Sequence, residues 1–170
     1  MERSGSPSSH GECRHLWTRS LLDRINPCIF AGIVSLICLI VYLKNLPPSL
    51  TWAHHGADGG DLVTALVRGS IPHPPGSPTY LLLGKLFIYL PWGDPAWRLN
   101  LMSAVSASGA TGLTTITVWY ALRRTDGGMQ PLGLDIVALT AGLCLGLSPL
   151  FWSQAIITEV YAPAVFFFTL

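Results

Sequence analysis

Three carboxylates stand out for where they fall in this 170-residue sequence: Asp58 and Asp61 in the run Gly56-Ala57-Asp58-Gly59-Gly60-Asp61-Leu62, and Glu159 at the edge of a late apolar stretch. Imidazoles and cations lie before and between them, at His54, His55, His73, Lys85 and Arg98. A positioned carboxylate takes the proton of a reacting hydroxyl, and cations hold an anionic leaving group and stabilise the charge that develops on it. Carboxylates beside cations at a membrane surface are what a reaction on a phosphorylated lipid requires. Each residue also has a plainer role. Asp58 stands where a helix N-cap belongs and Asp61 three residues on, as in a capping box, where both favour the helix dipole. At i and i+3 they share a face and raise each other's pKa. Spacing alone leaves capping and catalysis both open. His54, His55 and His73 read as surface histidines, Lys85 as a snorkelling side chain, and Asp135 as a helix-terminal acid without further role. Glu159 differs, because an acid at or below the membrane interface is costly and marks function. Its plainer alternatives are a pair with Arg98 or a cap for the helix that follows.

The elements that must position these residues are those of an all-α membrane protein. Half of the residues are hydrophobic and 11% are charged, against about a quarter charged in a soluble domain. A net charge of +1 gives no reason to expect nucleic acid as a partner, and Cys13, Cys28, Cys38 and Cys144 show neither metal-ligand nor disulfide spacing. Residues 1–24 are polar, contain Arg3, Arg14, Arg19 and Arg24, and read as a flexible cytoplasmic tail. Residues 25–170 read as one transmembrane domain. Its first span, 25–46, is long enough to cross the roughly 30 Å hydrocarbon core and lacks a small-residue cleavage site, so it reads as an uncleaved span rather than a signal peptide.

The outer loop, 47–98, carries two short helices. In the first, Leu62, Ala65 and Leu66 form a stripe that Arg68 and Gly69 close. The second runs over 78–90, with Ser77 as its cap and Pro78 at its first position. It is too short to span and belongs along the outer surface. The second span, 99–122, returns to a cytoplasmic Arg123-Arg124. A third covers 132–150, and a fourth, 160–170, breaks off inside an apolar run, so the chain is expected to be a truncated piece. This topology puts every candidate site residue on the outer side.

Four motifs carry a resemblance. Gly59-Gly60-Asp61 with its flanks, His73-Pro74-Pro75-Gly76-Ser77-Pro78, Arg98-Leu99-Asn100-Leu101 and Thr158-Glu159-Val160-Tyr161 resemble, in order and spacing, the GGDSGEL, HPPGYPL, RxNL and TEVY wording of a multi-pass membrane family. The family has a domain-of-unknown-function label and includes an animal protein O-mannosyltransferase of the endoplasmic reticulum and many bacterial proteins. The resemblance covers about residues 28–170. More distantly, protein O-mannosyltransferases and lipid A aminoarabinose transferases also have an acid in the first outer loop and a Pro-Pro turn opening a juxtamembrane helix.

The resemblance implies a GT-C glycosyltransferase with a GT-C-like N-terminal part of about four transmembrane helices, the last incomplete, plus two short outer-face helices. It implies a polyprenyl- or dolichyl-phosphate sugar as donor, a protein or glycan acceptor hydroxyl, and the outer or lumenal face as the place of transfer. The membrane would be the endoplasmic reticulum in a eukaryote and the plasma or inner membrane in a bacterium. No cofactor follows from it, and metal dependence stays open. By the same resemblance Asp58 matches the loop acid that serves as general base, Asp61 the family's Glu, and Glu159 a second-loop acid. His73, Pro74, Pro75, Gly76 and Lys85, with Arg98 and Asn100, fall on the substrate side. Asp61 in place of Glu shortens the reach by one methylene, and Gly59 and Ser77 replace a Ser and a Tyr. GT-C enzymes have many more spans, which implies that this piece alone is inactive. The rival reading is a transporter or lipid-binding membrane protein, whose acids would sit at the bilayer midplane in broken helices.

Overall fold

The computed structural model describes residues 9–125 and 130–170. They form seven α-helices and one 3-10 turn: α1 Ser9–Lys44, the turn Ala53–His55, α2 Gly59–Arg68, α3 Pro78–Ile88, α4 Pro95–Arg124, α5 Pro131–Gly146, α6 Pro149–Ala155 and α7 Tyr161–Thr169. No strand occurs among the described residues, as the all-α reading expects. Residues 1–8 of the expected tail, and 126–129 of the expected inner turn, lie outside the described residues. From Ser9 onward the segment expected as a tail is helical and continuous with the first span.

Two helices are long and apolar enough to cross a bilayer: α1 over Pro27–Lys44, with mean hydropathy 2.2, and the 30-residue α4, which contains an 18-residue window of mean hydropathy 1.2. A third crossing exists if α5 and α6 count as one span, bent by 62°. Pro149 explains the bend. Proline has no N–H to continue the ladder and drives the residue before it out of the helical region, and Ser148 accordingly adopts φ −64, ψ 137. The break frees the Gly146 carbonyl, which accepts a hydrogen bond from the Tyr42 hydroxyl of α1 at 2.8 Å. Two or three crossings thus stand where about four were expected, with α7 contributing nine residues.

Helix α4 is the hub, packed against every other helix. Its buried face is made of small residues, Ser103, Ala104, Ala107, Ala110, Thr111, Gly112 and Thr115, which let backbones approach closely where the hydrophobic effect cannot drive helices together. A Cβ on Gly112 would sit 3.0 Å from the Ala31 carbonyl oxygen of α1, and one on Gly142 of α5 2.9 Å from the Thr111 carbonyl oxygen. Two of the hydroxyls buried by this packing turn back on their own helix, Thr111 donating to the Ser108 carbonyl at 2.7 Å and Thr115 to the Thr111 carbonyl at 3.0 Å.

The first turn of α4 starts at Pro95, four residues before the expected 99. Asp94 is its N-cap and accepts the Trp97 N–H at 2.7 Å, and Pro95 occupies the position that needs no donor. The two short helices rest on this end through Leu62, Leu66, Tyr80, Leu99 and Met102. Gly84 permits the contact, because a Cβ there would come within 2.6 Å of a Leu66 methyl. Helix α2 closes as expected, with Gly69 left-handed at φ 68 and Ser70 N–H donating to the Ala65 carbonyl.

Candidate functional site

The site begins with a staple. Asn100 of α4 is fully buried, and its Nδ2 donates to the carbonyls of Pro47 at 3.3 Å and Ser49 at 3.2 Å, fixing the chain that leaves α1. Its Oδ1 accepts the Thr158 hydroxyl at 2.7 Å. Thr158 is thereby held to α4, and Glu159 beside it is set against the start of α2. Gly59 allows the fit, since a Cβ there would lie 3.2 Å from the Thr158 carbonyl oxygen. The Glu159 side chain is buried, and its Oε1 accepts the Asp58 N–H at 3.3 Å.

The turn after α2 completes the cluster. His73 donates its backbone N–H to Asp61 Oδ2 at 2.8 Å, and its Nδ1 lies 2.7 Å from the same oxygen. Its Nε2 lies 3.7 Å from Asp58 Oδ2. Pro74, Pro75 and Gly76 shape the turn that delivers it, with the Gly76 N–H closing on the His73 carbonyl at 3.0 Å and Gly76 at φ 85. Asp58 occupies the N-cap position of α2, yet its side chain caps nothing. Asp61 likewise turns to His73 instead of back to the cap. The capping box that the spacing allowed does not form: Asp61 pairs instead with the His73 imidazole twelve residues away, and Asp58 faces the same ring at 3.7 Å.

The electrostatics follow from these contacts. The hydrogen bond to Asp61 raises the His73 pKa, and the negative charges of Asp58, Asp61 and Glu159 add to it. The His73 backbone N–H, followed by its side chain, lowers the Asp61 pKa. Glu159 moves the other way: burial raises its pKa and the Asp58 charge adds to that, while backbone N–H groups of Asp58 and Val160 oppose it. Asp58 has its side chain 43% exposed. It is one of two open carboxylates, Asp61 being 44% exposed, and it stands beside the His73 imidazole with a buried acid behind it.

Other expected site residues lie elsewhere. Arg98 donates to the carbonyls of Trp92 and Gly93, both at 3.1 Å, and to that of Ile88, closing the end of α3 and the turn after it. It pairs with neither Glu159 nor the other acids. Lys85 is exposed on α3 and lines a shallow groove of about 290 Å³ with Leu66, Gly69, Ser70 and Leu82. Ser77 precedes α3 in the left-handed region at φ 37 and makes no capping bond. His54 offers its carbonyl to Gln154 Nε2 at 3.2 Å, and the side chain of His55 lies outside the described residues. Asp135 accepts the Trp119 indole N–H at 2.9 Å, over which Arg123 stacks at 4.8 Å. Among the described residues no group of three or more His, Cys, Asp or Glu side chains is arranged to hold a metal ion.

Sequence reasoning missed Tyr80. It is buried between α2, α3 and α4, and its hydroxyl makes no hydrogen bond. Burial, with the charge of Glu159 adding, raises its pKa. The available signal was a phenol two residues into an otherwise apolar helix.

A model of the family described as the protein O-mannosyl-transferase TMEM260 N-terminal domain matches residues 58–170, from the first acid of the cluster to the last residue of the chain. The chain belongs to that family. A relative named protein O-mannosyl-transferase TMEM260, from Mus musculus, is 33% identical over 145 residues, covering 85% of this chain and 18% of its own length. A relative with the same name from Dictyostelium discoideum is 27% identical over 138 residues, covering 79% of this chain and 15% of its own length. The chain therefore spans under a fifth of these relatives. No solved structure matches it. The family match takes in Asp58, Asp61, His73, Asn100, Thr158 and Glu159, the residues that build and fix the cluster.

Proposed function

We propose that this chain is the N-terminal part of a membrane glycosyltransferase that moves a sugar from a polyprenyl-phosphate-type lipid donor to an acceptor hydroxyl on the outer or lumenal face. The observation that carries the reading is the convergence of Asp58, Asp61, His73 and Glu159, drawn from three separate segments, at one end of a membrane-type helix bundle. The relatives' printed name adds mannose as the sugar and a protein hydroxyl as the acceptor. The orientation rests on Arg123-Arg124 at the far end of α4, which belongs on the cytoplasmic side together with the N-terminus.

In this reading Asp58 is the general base. Its exposed carboxylate takes the proton of the acceptor hydroxyl, the hydroxyl oxygen bonds to the anomeric carbon from the face opposite the phosphate, and the bond from that carbon to the phosphate oxygen breaks. The anomeric centre inverts, and lipid phosphate leaves with the electron pair. His73, tied to Asp61 through Nδ1, faces Asp58 through Nε2 and orients it as the base. Glu159 fixes the backbone of Asp58 through the N–H it accepts, and Lys85 lies further along the surface as a cation for the lipid headgroup. An apolar groove of about 180 Å³ between the start of α3 and α7, lined by Ser77, Pro78, Tyr80, Val160, Pro163 and Phe167, gives the isoprenoid chain a path beside the cluster.

The test is sugar transfer by the full-length protein carrying Asp58→Asn, with polyprenyl-phosphate mannose as donor and a hydroxyl-bearing peptide as acceptor. Loss of a general base lowers kcat by about 10²–10⁴-fold. Undiminished transfer removes Asp58 from the mechanism.

A further inference from the structure

Helix α3 is apolar on every side. From Pro78 to Gly93 the one charged residue is Lys85. Tyr80 and Gly84 are buried against α2 and α4. On the other side Leu82, Leu86 and Tyr89, with Trp92 just beyond the helix end, are 67–83% exposed. The first three fall at i, i+4 and i+7, so they form one stripe rather than scattered surface residues. A helix apolar all round is covered on both sides, and this side of α3 has no cover among the described residues. What covers it follows from level, composition and charge. Arg98, in the first turn of α4, donates to the carbonyls of Ile88 at the end of α3 and of Trp92 and Gly93 in the next turn. Ser49, in the chain leaving α1, donates to Asp94, the cap of α4. The end of α3 is therefore pinned at the level where both long spans leave the bilayer. Tyr89 and Trp92 put amphipathic rings at that level, as side chains of a membrane interface do. Lys85 is exposed in the same helix, and the groove it lines is walled by Gly69 and Ser70, which follow the exposed Arg68. An apolar face that carries a cation and no acid matches phosphate headgroups lying over acyl chains.

We propose that α3 is an interfacial anchor whose partner is the phospholipid bilayer: its exposed face docks in the leaflet that borders the acid cluster. Leu82 and Leu86 enter below the phosphates, the rings of Tyr89 and Trp92 lie among the headgroups, and Lys85 reaches back to a lipid phosphate. The Pro74-Pro75-Gly76 turn that delivers His73 leads directly into this helix, so the anchor holds that side of the cluster at a fixed depth. The docking stands whether or not the cluster transfers sugar.

The test reads depth in the full-length protein reconstituted into phosphatidylcholine vesicles. A nitroxide is introduced through an unnatural amino acid in place of Leu82 or Leu86, with Asp61 at the cluster as the reference position. Relaxation of each label by oxygen, which concentrates among acyl chains, is compared with relaxation by a water-soluble nickel chelate. Labels at 82 and 86 should respond more to oxygen than to nickel and lie about 5–10 Å below the phosphates, while the label at 61 responds more to nickel. A stronger response to nickel at 82 and 86 puts the stripe in water and overturns the proposal. Labels shielded from both reagents overturn it too, because protein, a later segment of the chain or a second copy, then covers the stripe. Should a labelled protein fail to fold, the unmodified protein gives the answer. A phosphatidylcholine with a photoreactive diazirine in its acyl chain should attach to the α3 stripe as it does to Ile33 and Leu36, exposed on α1. Attachment to α1 without α3 overturns the proposal.

Discussion

At the scale of single residues, the cluster turns on one imidazole set between two carboxylates. His73 is placed by its Nδ1 and its own backbone N–H on a single oxygen of Asp61, which leaves Nε2 to face Asp58. Because its folded pKa lies above the ordinary histidine value of 6.5, the stability from this tether is full below 6.5 and is lost as pH rises through the folded pKa. Asp61 has the opposite sign: its lowered pKa contributes stability above 3.8 that is lost as pH falls through the folded value. Sugar transfer by the full-length protein is therefore expected to show a basic limb above pH 6.5. Asp61→Asn should move that limb down toward 6.5 and slow the reaction by roughly 10-fold. A limb that stays put in the pH–rate profile would separate Asp61 from the state of His73. Asp58 and Asp61 were legible as a pair from their spacing. Which of capping or chemistry they serve was not, because the deciding partner lies twelve residues away in a turn whose path spacing does not reveal.

At the scale of elements, the cluster depends on parts that do no chemistry. Asn100 ties the chain leaving α1 to α4 and, through Thr158, to the segment that holds Glu159. Asn100→Ala leaves two carbonyls without their donor and Thr158 with only the Ala96 carbonyl, so the protein should lose roughly 2–3 kcal/mol of stability and transfer activity with it. Thermal unfolding in detergent checks the first and the transfer assay the second; an unchanged melting temperature would show the staple to be dispensable. The sequence marked Asn100 as a substrate-side residue, and the buried hydrogen bonds give it a supporting place. The start of α4 was readable in Asp94-Pro95, a cap followed by a proline that needs no donor, and hydropathy alone passed over it by starting at 99. The break between α5 and α6 was signalled by Ser148-Pro149 in the same way. Arg98 could not be placed from sequence, since its partners are carbonyls exposed only by the turn after α3.

At the scale of the whole molecule, α4 joins the two ends of the account. Its first turn holds the staple under the acid cluster, and its last turn ends in Arg123 and Arg124. The proposal that the basic end is cytoplasmic puts the cluster in the other compartment. A cysteine placed at Asp61, exposed at the cluster, should react with an impermeant maleimide only from the non-cytoplasmic side of sealed membranes, and one placed at exposed Thr125 only from the cytoplasmic side; labelling of both from one side would undo the topology. The membrane class, the all-helical fold and the four motifs were readable from composition and residue order. The number of crossings was not, because the bend at Pro149 turns one apolar run into two short helices.

A double-mutant comparison bears most directly on the claim that these residues form one site. Sugar-transfer rates of the full-length protein carrying Asp58→Asn, Glu159→Gln and both together give the coupling between them. If Glu159 acts by holding Asp58, the double variant is no slower than Asp58→Asn alone. Losses that multiply would mean two independent roles and no shared cluster.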